Sequence, residues 1–114
     1  MSVRQRSTGI MVVLVTCPTM AVARRIAKEV VRARLAACVN LLPGVRSIFL
    51  WNRALDECRE VLLIIKTTSA HLKTLRRAVL KRHPYQLPEV IALPVIRGHQ
   101  PYLRWVRRMC QPVV

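Results

Sequence analysis

The stretch "AACVNLLPGVRSIFLWNRALDECREVLLIIKTT", residues 36–68, decides the fold. Its first half, "AACVNLLPGVRSIFLWN", has strand character interrupted by Pro43-Gly44. Proline removes a ladder donor and glycine admits a left-handed backbone, so the pair predicts a bend or bulge inside one long strand. The polar run "RALDECRE" then turns the chain, and "VLLIIKTT" is the next buried strand. Together the two halves read as a long antiparallel hairpin.

The flanks supply what a hairpin needs to be buried. Upstream, "IMVVLVTCP" is a continuous, β-branched apolar run ended by Pro18, which predicts a strand covered on both faces. Thr19 is placed to cap a helix running to about Leu35, with Val22, Ile26, Val30 and Ala33 at helical spacing. Downstream, Ser69 is the predicted cap of "AHLKTLRRAVLKRH", whose inward stripe is Leu72, Leu75 and Val79, and Pro84 stops it. "EVIALPVI" is a fourth strand. Pro101 opens a last helix, "PYLRWVRRMC", with Leu103, Val106 and Met109 on its apolar side.

The order is β-α-β-β-α-β with an extra C-terminal helix, the split βαβ arrangement of ferredoxin-like domains, an α+β class. Residues 10–110 form one such domain, 1–9 a flexible basic N-terminus and 111–114 a tail. Both helices of this arrangement lie on one face of the sheet, yet every strand is apolar on both sides. A bare apolar face requires a partner, so the pattern predicts self-association through the sheets, with a heterologous partner as the alternative.

Composition narrows the function. Hydrophobic residues are 53% of the 114, mean hydropathy is +0.27, and no apolar run approaches the ~18 residues that cross a bilayer. Cys17, Cys38, Cys58 and Cys110 form no CxxC, which suits neither a zinc knuckle nor a disulfide scaffold and predicts reduced thiols in the cytoplasm. The opening MSVRQRSTG is basic but lacks a small-residue cleavage site, so it reads as a disordered start. Twenty Lys and Arg against five Asp and Glu give a net charge of +15, an electrostatic footprint for polyanions or anionic lipid, or a set of solvated helix faces. RNA-recognition domains share this topology but stack bases on aromatics of the central strands, and "IMVVLVT" and "VLLIIKT" have none. No GxSxG, HExxH, P-loop or paired-carboxylate pattern occurs, and nothing orients His83 towards a nucleophilic Cys17. The chain reads as a non-enzyme.

Four blocks in fixed order carry a resemblance: "RLAACVNLLPGVRSIFLW" (34–51), "EVLLIIKT" (60–67), "HPYQLPEVIALPV" (83–95) and "YLRW" (102–105). From about Met11 to Arg108 the chain resembles the CutA family of divalent-cation tolerance proteins. The resemblance implies a ferredoxin-like subunit in a tight homotrimer, with sheets meeting around a threefold axis and bent hairpin strands reaching onto neighbours. It implies a role in tolerance to divalent metals with copper binding, and no established reaction; animal relatives are linked to anchoring acetylcholinesterase.

The resemblance also implies a cleft between subunits, lined by "HPYQLPE" and the end of the first strand. His83 and Glu89 would there meet Cys17 as metal ligands, and a thiolate, an imidazole and a carboxylate suit copper. Lys66, Tyr85 and Trp51 would contact a ligand, and Lys66 with Arg82 would suit a small anion instead. The chain departs from the family where a cysteine often stands at position 15, here Val15, and where some relatives have a second histidine, here Arg82. After Trp51 the family usually has an acid and a glycine; here Asn52 and Arg53 follow. Each site residue also has a structural reading: a helix terminator for His83, an interface plug for Tyr85, strand-end packing for Cys17, an ion pair with Lys66 or a neighbour's arginine for Glu89, a cation snorkelling from the sheet end for Lys66, and packing at a subunit boundary for Trp51. The competing function is a non-catalytic trimeric scaffold that binds an anionic small molecule or a polyanion through its basic surface.

Overall fold

In a computed structural model, which describes residues 8–111, the chain runs β1 (Ile10–Cys17), α1 (Met20–Arg32), β2 (Cys38–Trp51), β3 (Ala54–Thr68), α2 (Leu72–Arg82), β4 (Val90–Pro94) and α3 (Gln100–Met109). The strands form one antiparallel sheet in the order β2-β3-β1-β4. This is the expected α+β arrangement. Of the termini expected to be loose, only Thr8, Gly9 and Gln111 are among the described residues.

Local chemistry explains most boundaries. Thr19 caps α1 as expected, accepting the Val22 N–H on its hydroxyl at 3.2 Å. The helix ends at Arg32 rather than Leu35, because Arg34 takes a left-handed φ of 59°. Its inward stripe is accordingly Ala23, Ile26, Ala27 and Val30, and Ala33 lies beyond the helix and exposed. Ser69 does not cap α2. It opens a single 3₁₀ turn, Ser69–His71, and the hydroxyl that meets the His71 ring is that of Thr68, at 2.6 Å. Downstream, α2 stops at Arg82 because His83, preceding Pro84, must be extended.

The register divides the sheet into two faces. Val13 sits between Ile65 and Ala92, and Val15 between Leu63 and Val90; these pack under Ala23, Ile26, Val30, Leu75 and Val79 to make the core. Alternate residues point the other way: Leu14 between Ile64 and Ile91, Val12 between Lys66 and Leu93, Leu42 against Leu62. Leu42, Ile91 and Leu93 keep 51%, 49% and 48% of their surface in water. The second face is therefore apolar and uncovered by the helices α1 and α2. A smaller cluster of Ile10, Ala37, Leu103, Val106 and Cys110 seats α3 at one corner. There Arg107 donates to the Thr8 carbonyl and Arg34 to those of Met109 and Gln111, so both ends of the described chain are fastened together.

The hairpin is one continuous pair with a register shift between Leu42 and Val45, where Gly44 adopts φ +81°. The bulge expected from Pro43-Gly44 is present. The turn, however, is only Asn52-Arg53, both left-handed at φ 51° and 66°, the signature of a two-residue hairpin turn. "RALDECRE" is thus not a turn; from Ala54 onward it is strand. Its polarity reflects exposure, because beyond Val61 the two strands leave the sheet as a free arm carrying exposed Ile48, Leu50 and Leu55.

An arginine at φ 66° is strained where glycine is not, at a cost on the order of 1 kcal/mol. Arg53→Gly should raise the unfolding free energy by about that amount in urea titrations, with no change in cooperativity.

Candidate functional site

Period-two alternation builds the site. Asp56, Cys58 and Glu60 fall on one face of β3, and their cross-strand partners Phe49 and Ser47, opposite Asp56 and Cys58, share it. Trp51, opposite Ala54, extends this face to the tip. The arm curls over the segment between α2 and β4 and encloses a cleft of about 700 Å³. Thr16 forms one end, and Tyr85, Gln86, Leu87 and Glu89 form the opposite wall.

His83 fastens that wall. It is buried, at 8% exposure, and its Nε2 lies 2.7 Å from the Thr16 carbonyl, which can only accept. Nδ1 in turn accepts the Tyr85 N–H at 3.2 Å. The ring is therefore the tautomer with hydrogen on Nε2, and both nitrogens are committed to backbone. It packs on the Tyr85 ring at 4.7 Å between centroids. The Tyr85 hydroxyl reaches across the cleft and donates to Glu60 Oε2 at 2.9 Å. Glu60 is only 5% exposed, so this bond supplies a donor to a carboxylate largely withdrawn from water.

The electrostatics of the cleft oppose those of the chain. Asp56, Glu60 and Glu89 are three of the chain's five Asp and Glu, and among the described residues no Lys or Arg lines the cavity. Burial, then the hydrogen bond and charge of Glu60, raise the Tyr85 hydroxyl well above the ordinary tyrosine range. Burial and the charges of Asp56 and Glu60 raise the Cys58 thiol. Burial and Glu60 push Cys17 up to about 11. Burial is the larger cause of each shift, and the charge of Glu60 adds to all three.

Of the six residues expected here, Trp51, Tyr85 and Glu89 line the cleft. Cys17 does not: its side chain is fully buried on the helix-facing side, and its neighbour Thr16 presents to the cavity instead. Positions 15 and 17 share a strand face, and that face leads into the core. His83 braces the wall with its ring nitrogens engaged. Lys66 is elsewhere, hydrogen-bonded to Asn40, and Arg82 pairs with Glu29 at 2.7 Å, so the expected anion-binding pair is not assembled. Glu89 is exposed and makes no ion pair among the described residues. No three His, Cys, Asp or Glu side chains among the described residues gather closely enough to hold a metal ion, so Cys17, His83 and Glu89 are not a ready-made triad within one subunit. Asp56, Cys58 and Glu60 are the acid and thiol side chains of the lining that sequence reading missed. Their signal is the alternating D-x-C-x-E, which a turn reading of the segment hides.

The comparisons with known proteins fall on this same framework. The sequence profile described as CutA1 divalent ion tolerance protein matches residues 11–109. The human Protein CutA is 50% identical over 99 residues, covering 87% of this chain and 55% of the human one, so the chain spans about half the length of that relative. The divalent-cation tolerance protein CutA of Thermus thermophilus is 48% identical over 96 residues, covering 84% of this chain and 93% of that one. A solved structure of a divalent cation tolerance protein from Thermus thermophilus superposes with a TM-score of 0.85 at 46% identity, over 87% and 96% of the two chains. The Oryza sativa CutA1 crystal structure gives 0.89 at 37% identity, over 94% and 98%. The chain belongs to the CutA1 divalent ion tolerance family.

Two outcomes follow from the site's hydrogen bonds and thiols. Tyr85→Phe removes the Glu60 donor and should cost about 1–3 kcal/mol in urea unfolding, with the family fold retained by circular dichroism. Cys17 has its folded-state pKa raised from 9.0 to about 11, so its contribution is complete below pH 9 and is lost as pH rises through 11. Urea midpoints should decline across that window, and Cys17→Ala should show a shallower decline.

Proposed function

We propose that the protein is a non-catalytic homotrimer that binds a divalent cation, copper foremost, in the cleft between the hairpin arm and the 83–89 segment, and that it serves divalent-cation tolerance in the cytoplasm. The observation that carries this reading is the lining: three of five carboxylates, one thiol and, among the described residues, no Lys or Arg, on a chain of net charge +15. Oxygen and sulfur donors together suit copper(II) or zinc(II) better than magnesium. Glu89, exposed and unpaired among the described residues, is the ligand of the expected set, with Asp56 and Cys58 facing it across the cavity. His83 serves by fixing the wall, and Cys17 by packing beneath it.

Assembly belongs to the same proposal. The donors of one subunit are spread too widely to enclose an ion, and an open cleft leaves coordination positions for a neighbour. Leu42, Ile91 and Leu93 on the bare sheet, with Ile48, Leu50 and Leu55 on the arm, supply apolar surface for such neighbours to cover. Trp51 at the tip of the arm is where one subunit would reach the next. The relatives' description as divalent-cation tolerance proteins supports the cation over the anion.

Light scattering should give three times the 13.1 kDa chain mass. Calorimetric titration with copper(II) and zinc(II) should show Glu89→Gln and Cys58→Ser each losing about tenfold or more in affinity, with Lys66→Ala unchanged. Leu93→Asp should yield subunits that neither associate nor bind. Wild-type affinity in the Glu89→Gln and Cys58→Ser proteins would sink the cleft as the cation site.

A further inference from the structure

Two helices carry regular rows of cations away from the cleft. On α1, Arg24, Lys28 and Arg32 recur every four residues, and on α2 Lys73, Arg77 and Lys81 do the same. Four residues of helix rise about 6 Å, so each series is a continuous stripe about 12 Å long. All six side chains are exposed, and none forms an ion pair among the described residues. The buried positions Ala23, Ile26, Ala27 and Val30 of α1, and Leu75 and Val79 of α2, keep both stripes out of the core, with Arg24 and Lys28 edging a surface groove against Val39, Asn40 and Leu41 of β2. The two helices pack side by side, joined by Arg82 and Glu29. Glu29 is the one acid in either helix, and that ion pair occupies it.

A face of this kind repels itself, and evenly spaced cations whose one intervening acid, Glu29, is already paired with Arg82 are matched by an equally regular polyanion. Arginine predominates on α1, and its planar fork suits phosphate oxygens. Neither helix contains an aromatic residue, so bases cannot be stacked there, and the only large apolar side chains exposed on the two helices are the isolated Val31 and Leu80, too few to make the continuous apolar face that membrane insertion needs. We propose that the paired cation stripes of α1 and α2 bind double-stranded nucleic acid through its phosphate backbone, without reading sequence. This surface is independent of the cleft and of any metal in it.

Fluorescence anisotropy with labelled duplexes of about 20 base pairs, across about 50 to 200 mM salt, tests this. Affinity should fall steeply with salt and should not change when the sequence is scrambled. The Lys28→Glu/Arg77→Glu protein should bind about tenfold or more weakly, with a salt slope shallower by about 2. Arg97→Glu/Arg104→Glu, an equal change of net charge at exposed positions off the two helices, should remain within about threefold of wild type. The neutral pair Lys28→Gln/Arg77→Gln should weaken binding in the same direction, which guards against misfolding of the reversed variant. Equal losses in the helix and control variants would overturn the proposal, leaving net charge alone as the cause. So would a salt slope near zero, or binding to phosphatidylserine vesicles at a salt concentration where the duplex is released.

Discussion

The pairing of β2 with β3 is the constraint from which the rest follows. Twelve cross-strand pairs join them, interrupted by one bulge at Pro43-Gly44. On the Cys38 side of that bulge, β1 and the helices back the ladder; on the other side the two strands stand alone. A two-stranded ribbon is marginal in water without something packed on it. Here the bulge bends the ribbon over the 83–89 segment, and Tyr85 reaches Glu60 across the gap. The cleft exists because the ribbon needed a surface to lean on, and the other side of the ribbon still lacks one.

Most of the architecture is legible because it is written in hydrophobic period and in proline and glycine placement. The core positions Val13, Val15, Leu63 and Ile65 fall in runs with no other buried solution, and Thr19 and Pro84 mark helix limits by local chemistry alone. What stays hidden is conformation that contradicts residue preference. Arg53 at positive φ conceals a tight turn that glycine would have announced, and the polar strand behind it consequently reads as a loop. Arg34 shortens α1 in the same way.

The site is harder for a different reason. Trp51, Tyr85 and Glu89 can be named from motif, since each sits where the chain changes direction. Cys17 and His83 cannot be separated from them, because side-chain direction at a strand end and the use of ring nitrogens depend on contacts formed across 67 residues of sequence. Nor does composition show how charge is distributed. An excess of +15 suggests a uniformly basic body, whereas the fold sends three of five acids to one cavity and leaves the helical face with a single neutralised one.

The corner where Arg107 holds the Thr8 carbonyl and Arg34 holds Met109 and Gln111 has a topological consequence. With Thr8 tied to α3 by Arg107, the first and last described elements meet at one corner, and the order in which the elements are translated is incidental to how they pack. A circularly permuted form of residues 8–111, with Thr8 and Gln111 bridged by a glycine-serine linker and new ends opened in the exposed 97–99 segment, keeps every pairing in the sheet. The arm is the wrong place for such a cut, since severing Asn52 from Arg53 would free the ribbon that shapes the cleft.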